Sequence, residues 1–332
     1  VGRWSIVAVG IGMRRRSIAG QDAPMRPVAA RATPAPMRAR VEHFGAWVRL
    51  ENIDALVALD REAAARLGID GGALWQEGAA HAIPRPLEVH VAVTARCPAG
   101  CEGCYLDARP DGAEPSLGEI EARLEAIARL GAFTVAFGGG EPLTRADIGE
   151  IAKRARELGL IPVMTTSGIG LTKAKAESLR AFAQINVSYD GVDEAYEAVR
   201  GWDGRRAAEK AIRILVEAGI PVGANTVLTR QSFGSLERTA DHLASLGVRE
   251  LQLLRYKPAG RAASLDYLSR RLTPEQIAEL HPTMGRIVRS GRLSVRIDCA
   301  LVPLLAAHIS SPEQVRALER FGVFGCEAGR HL

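Results

Sequence analysis

LEVHVAVTARCPAGCEGCY, residues 87–105, sets an alternating strand directly against three cysteines, Cys97, Cys101 and Cys104, closed by Tyr105. Leu87, Val89, Val91 and Val93 share one face of that strand; Glu88, His90, Ala92 and Thr94 share the other. Strands of an open doubly wound sheet are buried on both faces and run almost continuously apolar. One apolar face opposite a small or polar one suits a wide barrel instead. Its lumen then holds polar ligands, and its site lies at the C-terminal ends of the strands.

The same pattern recurs in FTVAFG (133–138), IPVMTT (161–166), QINVSY (184–189), PVGANTVL (221–228) and ELQLLRY (250–256). Amphipathic helices separate these runs, which marks parallel α/β architecture. In 116–131, Leu117, Ile120, Leu124, Ile127 and Leu130 recur at helical steps; Ser116 and Glu119 form a capping-box pair, and Gly131 stands past the end. Further helices are expected near 145–158, 172–182, 205–218 and 233–246. Six strands predict a partial (β/α)6 TIM-like barrel over residues 87–260. Residues 41–86 predict a small α+β extension: a hairpin in FGAWVRLENIDALVAL and a short helix in DREAAARLGI. Residues 261–332 read as a helical C-terminal region.

The net charge of +5 is unevenly spread. Residues 1–40 hold eight arginines against Asp22 alone, a net +7, so the other 292 residues carry −2. The basic character belongs to the tail, and a nucleic-acid-binding body is not implied. Rich in Arg, Ala and Pro, the tail reads as a disordered segment or an over-extended start. Trp4–Met13 is too short to span a bilayer, and no other stretch reaches about 18 uncharged apolar residues. The expectation is a soluble, cytoplasmic protein without membrane or nucleic-acid partners. Five cysteines, three crowded into one loop, do not make a secreted disulfide framework and point to metal ligation.

Three thiolates are one short of a closed tetrahedral zinc site, and the only nearby histidine, His90, lies back in the strand. A [4Fe–4S] cluster on three thiolates would leave one iron open to an outside ligand. Spacing favours the cluster and leaves zinc as the alternative.

Cys-x3-Cys-x2-Cys followed by an aromatic, on the loop after a first strand, resembles the radical S-adenosylmethionine (radical SAM) superfamily. The resemblance covers about residues 87–260. It implies that SAM chelates the open iron, and that one electron cleaves its S–C5′ bond to give methionine and a 5′-deoxyadenosyl radical. That radical would abstract a substrate hydrogen. GGGEP (138–142) corresponds to the family motif for the SAM amino group, which assigns Gly139, Gly140 and Glu141 to cofactor binding along with Tyr105. TTSG (165–168) stands where relatives often have Thr-Asn-Gly and carries little weight. SYDG (188–191) resembles Ser-x-Asp-Gly, so Ser188 would bond the SAM ribose or carboxylate; Asp190 also suits a plain turn. Arg200 matches an arginine that pairs with the SAM carboxylate, Asn225 matches a lumen position near SAM, and backbone at Leu254 would flank the adenine.

Cys299 and Cys326, the latter in GCEAGR (325–330), resemble the opening of a SPASM or twitch module, which binds auxiliary iron–sulfur clusters. Two cysteines do not complete such a cluster. Truncation, an auxiliary cluster with other ligands and ordinary thiols all remain open. The resemblance implies an enzyme that modifies a peptide or protein and draws electrons from a flavodoxin- or ferredoxin-type reductant. The alternatives are a radical SAM enzyme building a tetrapyrrole- or quinone-type cofactor, and a non-catalytic iron–sulfur or zinc protein. No classical acid–base pair is expected; Glu88, His90 and Asn186 are the lumen residues available to touch substrate.

Overall fold

The computed structural model describes residues 37–50, 54–76, 85–305, 311–313 and 316. The chain divides into two compact units near residue 83. The expectations for residues 1–36, and for Cys326, lie outside the described residues.

The first unit is a three-stranded antiparallel sheet, β1 (Met37–Glu42), β2 (Gly45–Leu50) and β3 (Ala55–Asp60), in sequential order, followed by helix α1 (Arg61–Arg66). The expected hairpin is β2–β3. β1 reaches back to Met37, into the last four residues of the stretch whose Arg/Pro composition reads as tail. Composition does not register that MRARVE alternates and has β2 beside it as a pairing edge. Asp60 caps α1 by accepting from Ala63 N at 2.8 Å. Ala46, Val48 and Ala64 form the small core of this unit, with Trp75 packed against it.

The second unit is a seven-stranded parallel sheet whose spatial order follows the sequence: β4 (Glu88–Thr94), β5 (Thr134–Gly139), β6 (Ile161–Thr166), β7 (Gln184–Ser188), β8 (Val222–Leu228), β9 (Glu250–Arg255) and β10 (Ser294–Ile297). Helices α2 (Leu117–Arg129), α3 (Ile148–Glu157), α4 (Lys173–Ser178), α5 (Ala195–Arg200), α6 (Arg205–Glu217) and α7 (Leu236–Ser245) fill the crossovers up to β9. α8 (Tyr267–Arg270) and α9 (Pro274–Arg289) lead into β10. β4 and β10 do not pair, so this is a partial TIM-like barrel that does not close. Six of the strands match the expected ones to within a residue or so. The seventh, SVRI, pairs in register with β9 (Val295 with Leu251) inside the region read as helical. Four residues are too few for a period to stand out.

The strand faces divide as the alternation predicts. Val91, Val93, Val135, Phe137, Ile185, Val187, Leu251 and Leu253 are buried against the helices. The lumen face of β7–β9 is polar. Gln184 Nε2 donates to Asn186 Oδ1 at 2.8 Å and to Glu250 Oε1 at 3.0 Å. Asn186 Nδ2 donates to Asn225 Oδ1 at 2.8 Å and to Gln252 Oε1 at 3.3 Å. Gly223 of β8 makes room for these bonds, since a Cβ there would sit 2.2 Å from Asn186 Oδ1. No helix among the described residues is long and apolar enough to cross a membrane.

Candidate active site

The loop after β4 is held at its neck by main-chain bonds. Ala95 N donates to Ala113 O (2.7 Å), Cys97 N to Arg109 O (2.8 Å) and Arg109 N to Ala95 O (3.1 Å). Within the loop, Cys104 N donates to Cys101 O at 3.3 Å, a tight turn that brings those two residues together. All three cysteines are unpaired and partly buried. Burial pushes the Cys97 thiol up; a bond to the Ala99 backbone opposes this, while Glu141 and the Cys101 and Cys104 thiols add to it. Among the described residues, no three Cys, His, Asp or Glu side chains are already gathered around one metal position. Tyr105 is 56% exposed at the loop's outer edge.

A residue the sequence did not single out braces this loop. Arg261, in the 3-10 turn after β9, donates from Nε (3.2 Å) and Nη2 (3.0 Å) to the Cys101 carbonyl. Its Nη1 donates to Asp107 Oδ1 (2.9 Å) and Ala108 O (2.8 Å). The available signal was an arginine after glycine in KPAGR, at the rim where the barrel site was expected.

GGGEP closes β5 and lies against the start of the cysteine loop. Gly140 N donates to Thr94 O and Glu141 N to Arg96 O, both at 2.7 Å. Gly139 has φ +109°, and a Cβ on Gly140 would lie 2.0 Å from Arg96 O. The glycines are thus required by the approach of two backbones. The Glu141 side chain is bonded within the protein. Its carboxylate is 1% exposed and accepts from Leu143 N (3.0 Å), Thr166 Oγ1 (2.5 Å), Ser167 N (2.7 Å) and Ser167 Oγ (2.5 Å). Four donors saturate it. It ties the end of β5 to the end of β6, and the TTSG stretch given little weight supplies most of the tie. A Cβ on Gly138 would meet only open space.

Beyond β7, Asp190 accepts from Val227 N at 2.7 Å and from Arg200 Nε at 2.6 Å, which fixes the guanidinium. Arg200 Nη1 then reaches Cys101 Sγ at 3.6 Å, and Trp202 Nε1 donates to the same sulfur at 3.2 Å. Arg200 also lies over the Tyr196 ring, 5.3 Å from its centroid. The Tyr196 hydroxyl is buried with no hydrogen-bond partner among the described residues. Burial first, then the Asp190 and Cys101 charges, push it up to about 12 against the opposing Arg200. Ser188 pairs in register with Asn225, whose side chain bonds Asn186 and Thr165 Oγ1 (3.2 Å). Leu254 stands near the end of β9, on the same face as Gln252. His90 and Glu88 bond each other at 2.9 Å on β4. The structure thus brings Arg200 to the cysteine loop, places Ser188 and Asn225 side by side, and leaves His90 with Glu88. Cys299 opens a 3-10 turn (Cys299–Leu301) directly after β10, capped by Asp298, which pairs with Lys257 at 3.1 Å.

On donor chemistry the loop fits an iron–sulfur cluster. It offers three partly buried thiols, with cationic and N–H donors at one of them. A parallel, unclosed barrel carries this loop after its first strand. Residues 91–243 match the Radical SAM superfamily.

The chain is similar to PqqA peptide cyclase of Ruegeria pomeroyi, 33% identical over 177 residues, covering 52% of this chain and 47% of that one. It also resembles a probable GTP 3′,8-cyclase of Aeropyrum pernix, 32% identical over 234 residues, covering 65% and 64%. The chain spans about half the length of the peptide cyclase. Among solved structures, Streptococcus suis SuiB shares the fold with a TM-score of 0.63. This holds bound to S-adenosylmethionine (17% identity, 83% of this chain and 74% of that one) and bound to precursor peptide SuiA (18%, 87% and 77%).

Proposed function

We propose that this protein is a radical SAM enzyme of the SPASM/twitch type that modifies a peptide or protein. The observation that carries the reading is the convergence of the cysteine loop, GGGEP and the Asp190–Arg200 pair, which meet through direct contacts at the C-terminal ends of β4, β5 and β7. Cys97, Cys101 and Cys104 would hold a [4Fe–4S] cluster whose fourth iron accepts S-adenosylmethionine. When bound there, cluster and SAM supply a 5′-deoxyadenosyl radical able to take a hydrogen from the substrate. The chain's own part is to bind, orient and exclude water. Gly139 and Gly140 offer main-chain groups to the cofactor, Arg200 a cation for its carboxylate, and Ser188 and Asn225 polar contacts on the lumen side. The peptide substrate class rests on similarity to PqqA peptide cyclase. A flavodoxin- or ferredoxin-type protein would supply the electron, and an auxiliary cluster would involve Cys299 and Cys326.

Similarity to a probable GTP cyclase over a larger share of the chain favours a second reading, an enzyme acting on a small molecule. Anaerobic reconstitution with iron and sulfide, then reduction with dithionite in the presence of SAM, tests the core of the proposal. Release of 5′-deoxyadenosine is expected, and its loss when Cys97, Cys101 and Cys104 are each replaced by Ala. A reconstituted cluster that releases none would overturn the enzyme reading; tightly held zinc in place of iron would overturn the metal assignment. Mass shifts in peptides encoded beside the gene would decide between peptide and small-molecule substrates.

A further inference from the structure

The three cysteines differ in what surrounds their sulfurs. Cys101 Sγ has two side-chain N–H donors aimed at it, Trp202 Nε1 at 3.2 Å and Arg200 Nη1 at 3.6 Å; Cys97 has the Ala99 backbone bond, and no side-chain donor contact is found for Cys97 or Cys104 among the described residues. The contact at Cys101 is built, not incidental. α5 ends at Gly201, whose left-handed φ of +79° turns the chain back, and Glu102 N donates to Arg200 O at 3.0 Å to dock that turn on the cysteine loop. The Trp202 ring packs edge-on against Tyr196, with centroids 6.1 Å apart. A Cβ on Gly204 would strike that ring at 2.2 Å, so the backbone leaves the indole room in this orientation. Arg200 is in turn held by Asp190 at 2.6 Å. Trp202 lies outside every motif that the resemblance brought to this chain.

We infer that Trp202 is a positioning residue that sets the reduction potential of the cluster through its N–H···S bond to Cys101. The inference rests on the cysteines holding a cluster, as proposed above. Hydrogen bonds to ligand sulfurs and local charge are among the factors that set iron–sulfur potentials. The step concerned is the transfer of one electron to the cluster from an external low-potential donor; no bond is made or broken, and no proton moves. The reduced cluster carries one more negative charge than the oxidised one. A donor pointed at a ligating sulfur therefore stabilises the reduced form more and raises the potential. Trp202 thereby makes the cluster easier to reduce, and Arg200 adds a positive charge on the same side.

Trp202→Phe keeps the ring packed on Tyr196 and removes only the donor. After anaerobic reconstitution, iron and sulfide per chain are measured, and the midpoint is read by an electron-paramagnetic-resonance titration with dithionite. The expected result is wild-type iron content with a reduction equilibrium constant lowered about tenfold, which is about 59 mV for one electron. The iron–thiolate stretching band should shift as well. An unmoved or raised midpoint, or iron content below wild type, would overturn the inference, the latter because it would make Trp202 a scaffold residue. If Trp202→Phe does not fold, Trp202→Leu supplies the test by removing the donor: with wild-type iron content, a reduction equilibrium constant lowered about tenfold supports the inference, and one near wild type sinks it. Failure of wild-type chain to take up iron would instead sink the underlying cluster assignment, so the two failures are distinguishable.

Discussion

Arg261 places two of its nitrogens on a single acceptor, the carbonyl oxygen of Cys101, with Nε at 3.2 Å and Nη2 at 3.0 Å. A guanidinium spreads its donors in a rigid fork that a lysine does not reproduce. Through this fork the loop after β9 fixes the backbone of the loop after β4. Arg261→Ala should loosen the cysteine loop and weaken iron retention, with a stability cost of about 2 kcal/mol. Arg261→Lys should fall between the two. Iron per chain after desalting, together with a urea titration, checks both.

Glu141 separates two roles that the sequence left together. A carboxylate binding the SAM ammonium would lower SAM affinity on conversion to an amide, with little effect on the fold. A carboxylate saturated by Leu143, Thr166 and Ser167 should do the reverse. Glu141→Gln turns one acceptor into a donor facing other donors, and we expect a loss of about 2–3 kcal/mol. Urea unfolding measures it; unchanged stability with weakened SAM binding would support the ammonium role instead.

Gly140→Ala is expected to do more damage than its size suggests. The new methyl would sit 2.0 Å from Arg96 O, with backbone on both sides of the clash, so GGGEP and the cysteine loop must move apart. Overpacking of this kind costs about 1–3 kcal/mol. The change should also lower cluster occupancy, because the displaced backbone leads directly into Cys97. Calorimetry and iron content read the two effects separately.

Arg145 and Asp147 predict how stability responds to acid. A bidentate bond from Arg145, at 2.8 and 2.7 Å, holds the Asp147 carboxyl below the usual 3.8, with burial opposing. A carboxyl whose folded value is depressed contributes stability above its unfolded value and loses it as pH falls through the folded one. The contribution is thus present at neutral pH and lost on acidification below about pH 4. Asp147→Asn should flatten the acid limb of a stability–pH curve over that window, as followed by urea midpoints.

Much of the barrel was legible because its strands obey a period of two and are long enough to show it. Val91 and Val93 against His90 and Ala92 already announce a helix side and a lumen side. β10 escaped because SVRI is four residues in a region without repeats, and β1 because Arg-rich composition outweighed its alternation. The site was legible where chemistry is local in sequence, as in the cysteine spacing. It was not legible where a group acts on a distant loop. Arg261 and Cys101 are 160 residues apart, and nothing in KPAGR names its acceptor. Glu141 shows the complementary limit: a motif names a residue but not the direction of its side chain. In this structure Glu141 turns to Thr166 at the end of the next strand and to Ser167 just past it.

The polar bonds inside the lumen have a mechanical meaning. Gln184–Glu250 and Asn186–Gln252 run from β7 to β9, passing over β8 where Gly223 has no side chain. In a flat sheet, strands two apart stand about 9.6 Å from each other. Links between them on the concave side act as chords of an arc. A closed barrel has its radius fixed by strand number and stagger, but here β4 and β10 never meet. The curvature across β7–β9 is then braced by these side-chain chords, whose length is set by how far an amide and a carboxylate can reach.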